Sequence, residues 1–133
     1  MKSLIVVHLL FSSLVFAGTA RADAVDDLLV EYRGQGAGPF NASTGEAFWQ
    51  RRFPSVDGVQ RACTDCHTDD LKRSGRHAVT GKAIEPLAPS ANAKRLSDRR
   101  QMEKWFKRNC KWTLGRECTP QEKGDLLFFL RNE

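Results

Sequence analysis

The sequence is poor in the features that mark sheet-based and membrane-spanning proteins. No stretch alternates apolar and polar residues for long enough to predict an extended β-strand. Its one long apolar run, residues 4–16, is too short to cross a membrane as a helix. Methionine and histidine are also scarce: two Met and three His among 133 residues leave few side chains that could bind a metal. We therefore expect a single small helical domain.

The first residues have the features of a cleaved secretory signal peptide. Lys2 supplies the positive charge before the apolar run, and Ala20-Arg21-Ala22 supplies a small-x-small cleavage pattern. We predict a signal peptide at residues 1–22 and a mature domain at residues 23–133, with an uncleaved anchor as the alternative. Loss of Lys2 and Arg21 lowers the formal net charge from +5 to +3, which is too weak to indicate a nucleic-acid partner.

A Cys-x-x-Cys-His motif begins at Cys63 and ends at His67 and is typical of covalent haem attachment. Thiols three residues apart reach two vinyl groups on one porphyrin edge, and the next residue places an imidazole under the iron. A thioredoxin-like redox pair would need a βαβ setting, and a zinc site recruiting Cys110 and Cys118 would leave His67 unexplained. We predict one haem c, bound covalently through Cys63 and Cys66, with His67 as the proximal iron ligand.

Two cysteines remain once Cys63 and Cys66 are assigned to haem. Exported proteins meet oxidising conditions in which paired thiols persist. We therefore predict a disulfide between Cys110 and Cys118, with two free thiols as the alternative.

Helix signals occur on both sides of the motif. Residues 23–33 predict a first helix, which looks like an addition to the main domain. Ser43 and Glu46 form a capping-box pattern for a second helix, in which Gly45 would allow another helix to approach closely. Residues 69–97 lack a sustained period and predict an irregular segment. Asp98 and Thr119 are expected to begin the last two helices.

The predicted helix after Asp98 carries Met102, Trp105, Phe106 and Asn109 on one face, at helical spacing. Met102, His77 and Asn109 are the candidates for the sixth iron position. Met102 would give a plain electron carrier, but methionine in an apolar stripe is usually part of the core. His77 follows His67 by ten residues, so the chain tethers it to the proximal side.

Several stretches resemble the SHP (sphaeroides haem protein) family of monohaem, oxygen-binding, class I-like cytochromes c. The specific parts are Arg108-Asn109-Cys110 and the second cysteine before Thr119-Pro120, supported by residues 80–90 and 103–110. The resemblance implies an all-α, class I cytochrome c-like domain around one haem, with a haem core at about residues 43–133 and an extra N-terminal helix. It also implies the Cys110–Cys118 disulfide, a monomer, and a dihaem or membrane-bound cytochrome as redox partner.

The resemblance implies that Asn109 is the distal iron ligand in the oxidised protein and leaves on reduction, which opens the iron to O2 and NO. We therefore expect a periplasmic cytochrome that transfers electrons and binds small ligands, more than a dedicated enzyme. The alternatives are a reductase of hydroxylamine, nitrogen oxides or peroxide, and a carrier ligated by Met102. Trp105 and Phe106 are expected to wall the haem pocket.

Residues outside the motif are also expected to contact the haem or its histidine ligand. A backbone carbonyl of residues 84–87 is the expected acceptor for the second nitrogen of His67. Lys82, Arg95 and Arg99 are candidate partners of the haem propionates.

Overall fold

Five α-helices follow one another along residues 23–133, the part of the chain that the computed structural model describes. They are α1 (Ala24–Gly34), α2 (Ala42–Gln50), α3 (Thr64–His67), α4 (Arg99–Leu114) and α5 (Pro120–Leu130). The predicted signal peptide, residues 1–22, lies outside the described residues. Within residues 23–133, no helix is both long and apolar enough to cross a membrane.

Helix α1 is part of the core, so the expectation that it is an addition to the domain was wrong. Asp23 caps the helix by accepting a 2.7 Å hydrogen bond from the Val25 amide. Leu28 and Tyr32 are almost fully buried and belong to one apolar cluster with Met102 of α4 and Leu127 of α5. The apolar face of α1 therefore covers the other two helices, and folding of the domain includes it.

Helices α2 and α5 pack closely, as the small Gly45 predicted. A Cβ atom built on Gly45 would lie 2.1 Å from the backbone oxygen of Asp125 in α5. The start of α2 differs from the prediction, because Asn41, not Ser43, is the N-cap, and its side chain accepts a 3.0 Å bond from the Thr44 amide. Asn41 is also held through its own amide, which donates to the buried Asp125 carboxylate at 2.8 Å.

The segments between the helices contain two antiparallel hairpins of two-residue strands. Strand β1 (Phe53–Pro54) pairs with β2 (Gln60–Arg61), and β3 (Gly75–Arg76) pairs with β4 (Ala83–Ile84). Strands this short leave no alternating pattern in the sequence, which is why none was predicted. The predicted all-α class is correct, and the two short hairpins lie beside the longer helices.

The last two helices begin where the sequence predicted. Asp98 caps α4 through a 2.9 Å bond from the Gln101 amide. Thr119 and Glu122 form a reciprocal capping box at the start of α5, with Pro120 as its first residue. Between the helices, Gly115 ends α4 in a left-handed conformation with φ of 73°.

Candidate functional site

A cavity of about 360 Å³ brings the Cys-x-x-Cys-His motif and helix α4 together. Its walls include Cys63, Cys66 and His67 on one element and the apolar face of α4 on another. Aliphatic and aromatic side chains of α2 and α5 complete the lining. The volume falls in the range of about 300–1,000 Å³ that is usual for cofactor and ligand sites.

Short contacts fix the backbone around α3. The Asp65 carboxylate accepts a 3.0 Å bond from the Ala62 amide and pairs with Arg52 at 3.0 Å. Gly75 of β3 packs directly on the motif, since a Cβ there would lie 2.0 Å from the Cys66 carbonyl oxygen. The Ala78 amide donates a 3.3 Å hydrogen bond to the Cys66 sulfur. The hairpin β3–β4 therefore supports the motif from one side.

Burial shifts the pKa values of two residues of the motif, Cys63 and His67. It raises the pKa of the Cys63 thiol to about 12, with smaller contributions from Asp65 and Cys66. Burial also lowers the pKa of His67 to about 4, with the charge of Arg95 acting in the same direction. Reactive cysteine pairs have lowered thiol pKa values. The thioredoxin-like alternative is therefore not supported, whereas a neutral imidazole is the form that binds iron.

Trp49 holds His67 in place and was not predicted to do so. Its ring centroid lies 5.4 Å from that of His67, and its indole N–H donates to the Thr68 carbonyl oxygen at 3.4 Å. Thr68 has φ of 67° and ψ of 172°, a combination that is rare for a residue other than glycine, and it turns the chain directly after His67. The sequence gives no indication of this contact, because no local pattern links α2 to the motif.

The cavity is lined by the face of α4 that the sequence predicted. This face carries Met102, Trp105, Phe106 and Asn109. Asn109 is followed directly by Cys110, which forms a disulfide with Cys118 in the structure, with their Cα atoms 5.5 Å apart. Asn109 and His67 thus belong to the walls of the same cavity.

The four-cysteine zinc alternative is incompatible with the observed disulfide. Cys110 and Cys118 are bonded to each other and are not available as thiolate ligands, whereas Cys63 and Cys66 are free thiols. Within residues 23–133, no group of three or more His, Cys, Asp or Glu side chains is arranged to hold a metal ion. Two free thiols followed by a partly buried imidazole that lines a largely apolar cavity fit covalent haem instead.

His77 lies outside the cavity, on the exposed turn between β3 and β4. Its Nδ1 accepts hydrogen bonds from the amides of Val79 at 3.3 Å and Thr80 at 3.1 Å. His77 therefore caps a turn in this structure.

Of the three basic residues predicted as partners of the haem propionates, only one lines the cavity. Arg95 lines the cavity, whereas Lys82 and Arg99 do not, and Arg99 forms an ion pair with Glu31. Two carbonyls of the segment expected to support His67 accept bonds from Arg95, those of Glu85 and Pro86, at 2.9 Å each. Arg95 thus connects this segment to the cavity.

Comparison with known proteins identifies the family. Residues 35–130 match the model of a domain of unknown function (DUF1924). Cytochrome c-type protein SHP of Cereibacter sphaeroides is 40% identical over 123 residues, which cover 91% of this chain and 95% of that protein. The chain belongs to the SHP family of c-type cytochromes. The resemblance inferred from the sequence motifs is thereby confirmed, and so is haem c as the cofactor of the family.

Solved structures agree with this membership. The structure of oxidised SHP, described as an oxygen-binding cytochrome c, has a TM-score of 0.76 and 38% identity and covers 84% of this chain and 98% of its own. A solution structure of Methylophilus methylotrophus cytochrome c'', which addresses the structural basis of haem-ligand detachment, has a TM-score of 0.71 and 34% identity. It covers 82% of this chain and 93% of its own. Both relatives therefore share the fold and a substantial part of the sequence with this chain.

Proposed function

We propose that the chain is a periplasmic monohaem cytochrome c that transfers electrons and binds small ligands such as O2 or NO in a redox-dependent way. Bound haem would supply one-electron exchange and a coordination position for a diatomic molecule. Cys63 and Cys66 would hold the porphyrin through thioethers, and His67 would be the proximal ligand. Asn109 would be the distal ligand of the oxidised protein.

The observation that carries this proposal is that Asn109 and His67 line one cavity. Sequence spacing puts Asn109 on the cavity-facing stripe of α4, and the disulfide of the next residue, Cys110, fixes its backbone. An amide oxygen is a neutral, hard donor, so it favours ferric over ferrous iron. The redox state can then decide whether Asn109 occupies the distal position.

The character of the cavity walls supports small, uncharged ligands. Trp105 and Phe106 flank Asn109 within about one helical turn and contribute aromatic surface. Phe48 and Trp49 of α2 line the same cavity. These aromatic walls limit solvent access to the position that Asn109 would occupy and suit small ligands such as O2 and NO.

The family relatives support the two halves of the proposal separately. SHP is described as an oxygen-binding cytochrome c, and cytochrome c'' is linked to haem-ligand detachment. A dihaem or membrane-bound cytochrome as redox partner, and a monomeric state, follow from the family resemblance alone. The redox partner would meet a strongly basic helix, since Lys104, Lys107 and Lys111 are exposed on α4.

The test is the ferric optical and electron paramagnetic resonance spectrum of holoprotein Asn109→Ala. We expect an altered ferric spectrum and faster binding of added ligands, because the amide that would compete with them is gone. Met102→Leu and His77→Ala serve as controls, and both should keep the wild-type ferric spectrum. An unchanged spectrum in Asn109→Ala, or a wild-type ferrous spectrum that CO does not alter, would contradict the proposal.

A further inference from the structure

We propose that Arg61 is a positioning residue for Asn109, because it ties the last turn of α4 to the segment that carries Cys63. The inference rests on the proposed function, in which Asn109 is the distal ligand. Arg61 belongs to β2 and precedes Cys63 by two residues. Nothing in the Cys-x-x-Cys-His motif itself requires an arginine at this place.

The Arg61 guanidinium is held in a defined orientation. It pairs with both carboxylate oxygens of Asp57, at 3.1 and 2.5 Å, across the hairpin turn. Its side chain is only 17% exposed. On its other side it stacks over the Trp112 ring at 4.7 Å and donates to the Trp112 carbonyl oxygen at 3.4 Å. A planar guanidinium fixed by a two-point ion pair makes such a contact at low entropic cost.

The contacts of Arg61 fall on the C-terminal end of α4, where helix carbonyls lack intrahelical partners. Trp112 lies in the last four residues of α4, and its carbonyl also accepts a 3.4 Å bond from the hydroxyl of Ser55. A cation at a helix C-terminus is favoured by the helix dipole. At the hairpin tip, Val56 packs on Gly115, where a Cβ atom would lie 2.9 Å from Cγ1 of Val56. The β1–β2 hairpin therefore caps α4 with three separate contacts.

The contacts of the β1–β2 hairpin with the end of α4 restrict the position of Asn109, which lies one helical turn earlier. Asn109 and Trp112 are three residues apart, so they share a helix face, and both line the cavity. Arg61 contacts Trp112, and Cys63, two residues after Arg61, lines the same cavity as Trp112. The side chain of Arg61 thus sets the distance between the haem-attachment segment and the turn that carries Asn109. The disulfide fixes the same turn from its other side, through Cys110.

The test measures ligand binding to the ferric holoprotein of Arg61→Gln, with azide and imidazole as probes. The variant should bind both about 2- to 30-fold faster than wild type, the range expected when a packed network is uncoupled. Its ferric optical spectrum should also shift towards that of Asn109→Ala. CO binding to the ferrous protein should stay unchanged, since Asn109 is not a ligand there. Asp57→Asn, at an exposed site, should change the ferric binding rates in the same direction by a smaller factor. If Arg61→Gln does not accumulate as a folded protein, Asp57→Asn is the variant that tests the proposal.

The matched control is Arg51→Gln. Arg51 is exposed in the same segment, and its guanidinium lies over the Phe53 ring, 5.8 Å from the ring centroid, and not over α4. This variant should leave the ferric rates at wild-type values. Equal acceleration in Arg51→Gln and Arg61→Gln would overturn the positioning role, because any loss of charge in the segment would then suffice.

A double variant separates this inference from the proposed function. In an Asn109→Ala background, Arg61→Gln should give no further change in ferric ligand binding. Full additivity would mean that Arg61 acts on access to the cavity and not through Asn109, which overturns the inference. If Asn109→Ala alone leaves the ferric spectrum unaltered, the proposed function itself fails. If Asn109→Ala changes the spectrum and both Arg61→Gln and Asp57→Asn do not, only the inference fails.

Discussion

Replacement of Gly45 by alanine tests the close contact between α2 and α5. A Cβ atom at this position would lie 2.1 Å from the Asp125 carbonyl oxygen, 2.7 Å from its carbonyl carbon and 2.8 Å from Cβ of Phe129. Two of these atoms are backbone of α5, so no side-chain rotation can relieve the overlap. Gly45→Ala must push α2 away from α5 or bend one of them.

The expected change in the free energy of unfolding of Gly45→Ala is the sum of two opposing effects. In a free helix interior, alanine is better than glycine by about 0.5–1 kcal/mol. Overpacking a filled interface costs about 1–3 kcal/mol, and more where the backbone must move. Since the overlap at Gly45 is with backbone, we expect the upper part of that range and a net loss of about 2 kcal/mol. For a domain of this size, that loss lowers Tm by roughly 8–10 °C.

The assay is urea unfolding of the holoprotein, followed by far-ultraviolet circular dichroism, with two other helical glycines as controls. Gly34→Ala meets no atom within 4 Å and should match or slightly exceed the wild-type stability. In Gly124→Ala the three atoms nearest to the new Cβ all belong to the Phe40 ring, which can rotate, so the loss of stability should be intermediate. A Gly45→Ala protein with the wild-type midpoint and slope would refute the close approach of α2 and α5.

Two further stability predictions address the first helix and the disulfide. Leu28→Ala should lower the free energy of unfolding by about 3 kcal/mol, because Leu28 is 0% exposed. Val30 on the same helix is 64% exposed, so Val30→Ala should change that free energy by less than about 0.5 kcal/mol. Equal effects in denaturant titrations would mean that α1 is not part of the core. Replacing Cys110 and Cys118 together by alanine should cost about 2.6 kcal/mol, from the entropy of opening a loop with a separation of eight residues. Reduction of the wild-type disulfide should lower the midpoint by a similar amount, and a wild-type midpoint in the double variant would contradict the estimate.

Local signals predicted the features that depend on a few adjacent residues. The Cys-x-x-Cys-His spacing is sufficient for the haem assignment, because the chemistry occurs within one turn of chain. Thr119 and Glu122 form the capping box that the sequence indicated. The α4 stripe through Met102 and Asn109 faces the cavity because helical periodicity alone decides which residues share a face.

Features that depend on contacts between residues far apart in the chain could not be predicted from the sequence. The apolar face of α1 is obvious, but only the packed α4 and α5 show that it is covered. Asn41 was overlooked as the start of α2 because Ser43 and Glu46 match a capping box equally well, and the bond from Asn41 to Asp125 spans 84 residues. The contact of Trp49 with His67, and that of Arg61 with Trp112, likewise join separate elements.

The position of Asn109 in the fold limits how a distal ligand can leave. Its backbone lies near the C-terminal end of α4, which is fixed by the disulfide at Cys110 and by hydrogen bonds from Arg61 and Ser55 to the Trp112 carbonyl. Movement of this end of the helix would break all of these contacts, whereas rotation about the side-chain bonds of Asn109 breaks none of them. We therefore expect that, if Asn109 detaches on reduction, it does so by a change of side-chain rotamer while α4 stays in place. A weak ligand on a rigid helix can then alternate between two states without a cost in folding free energy.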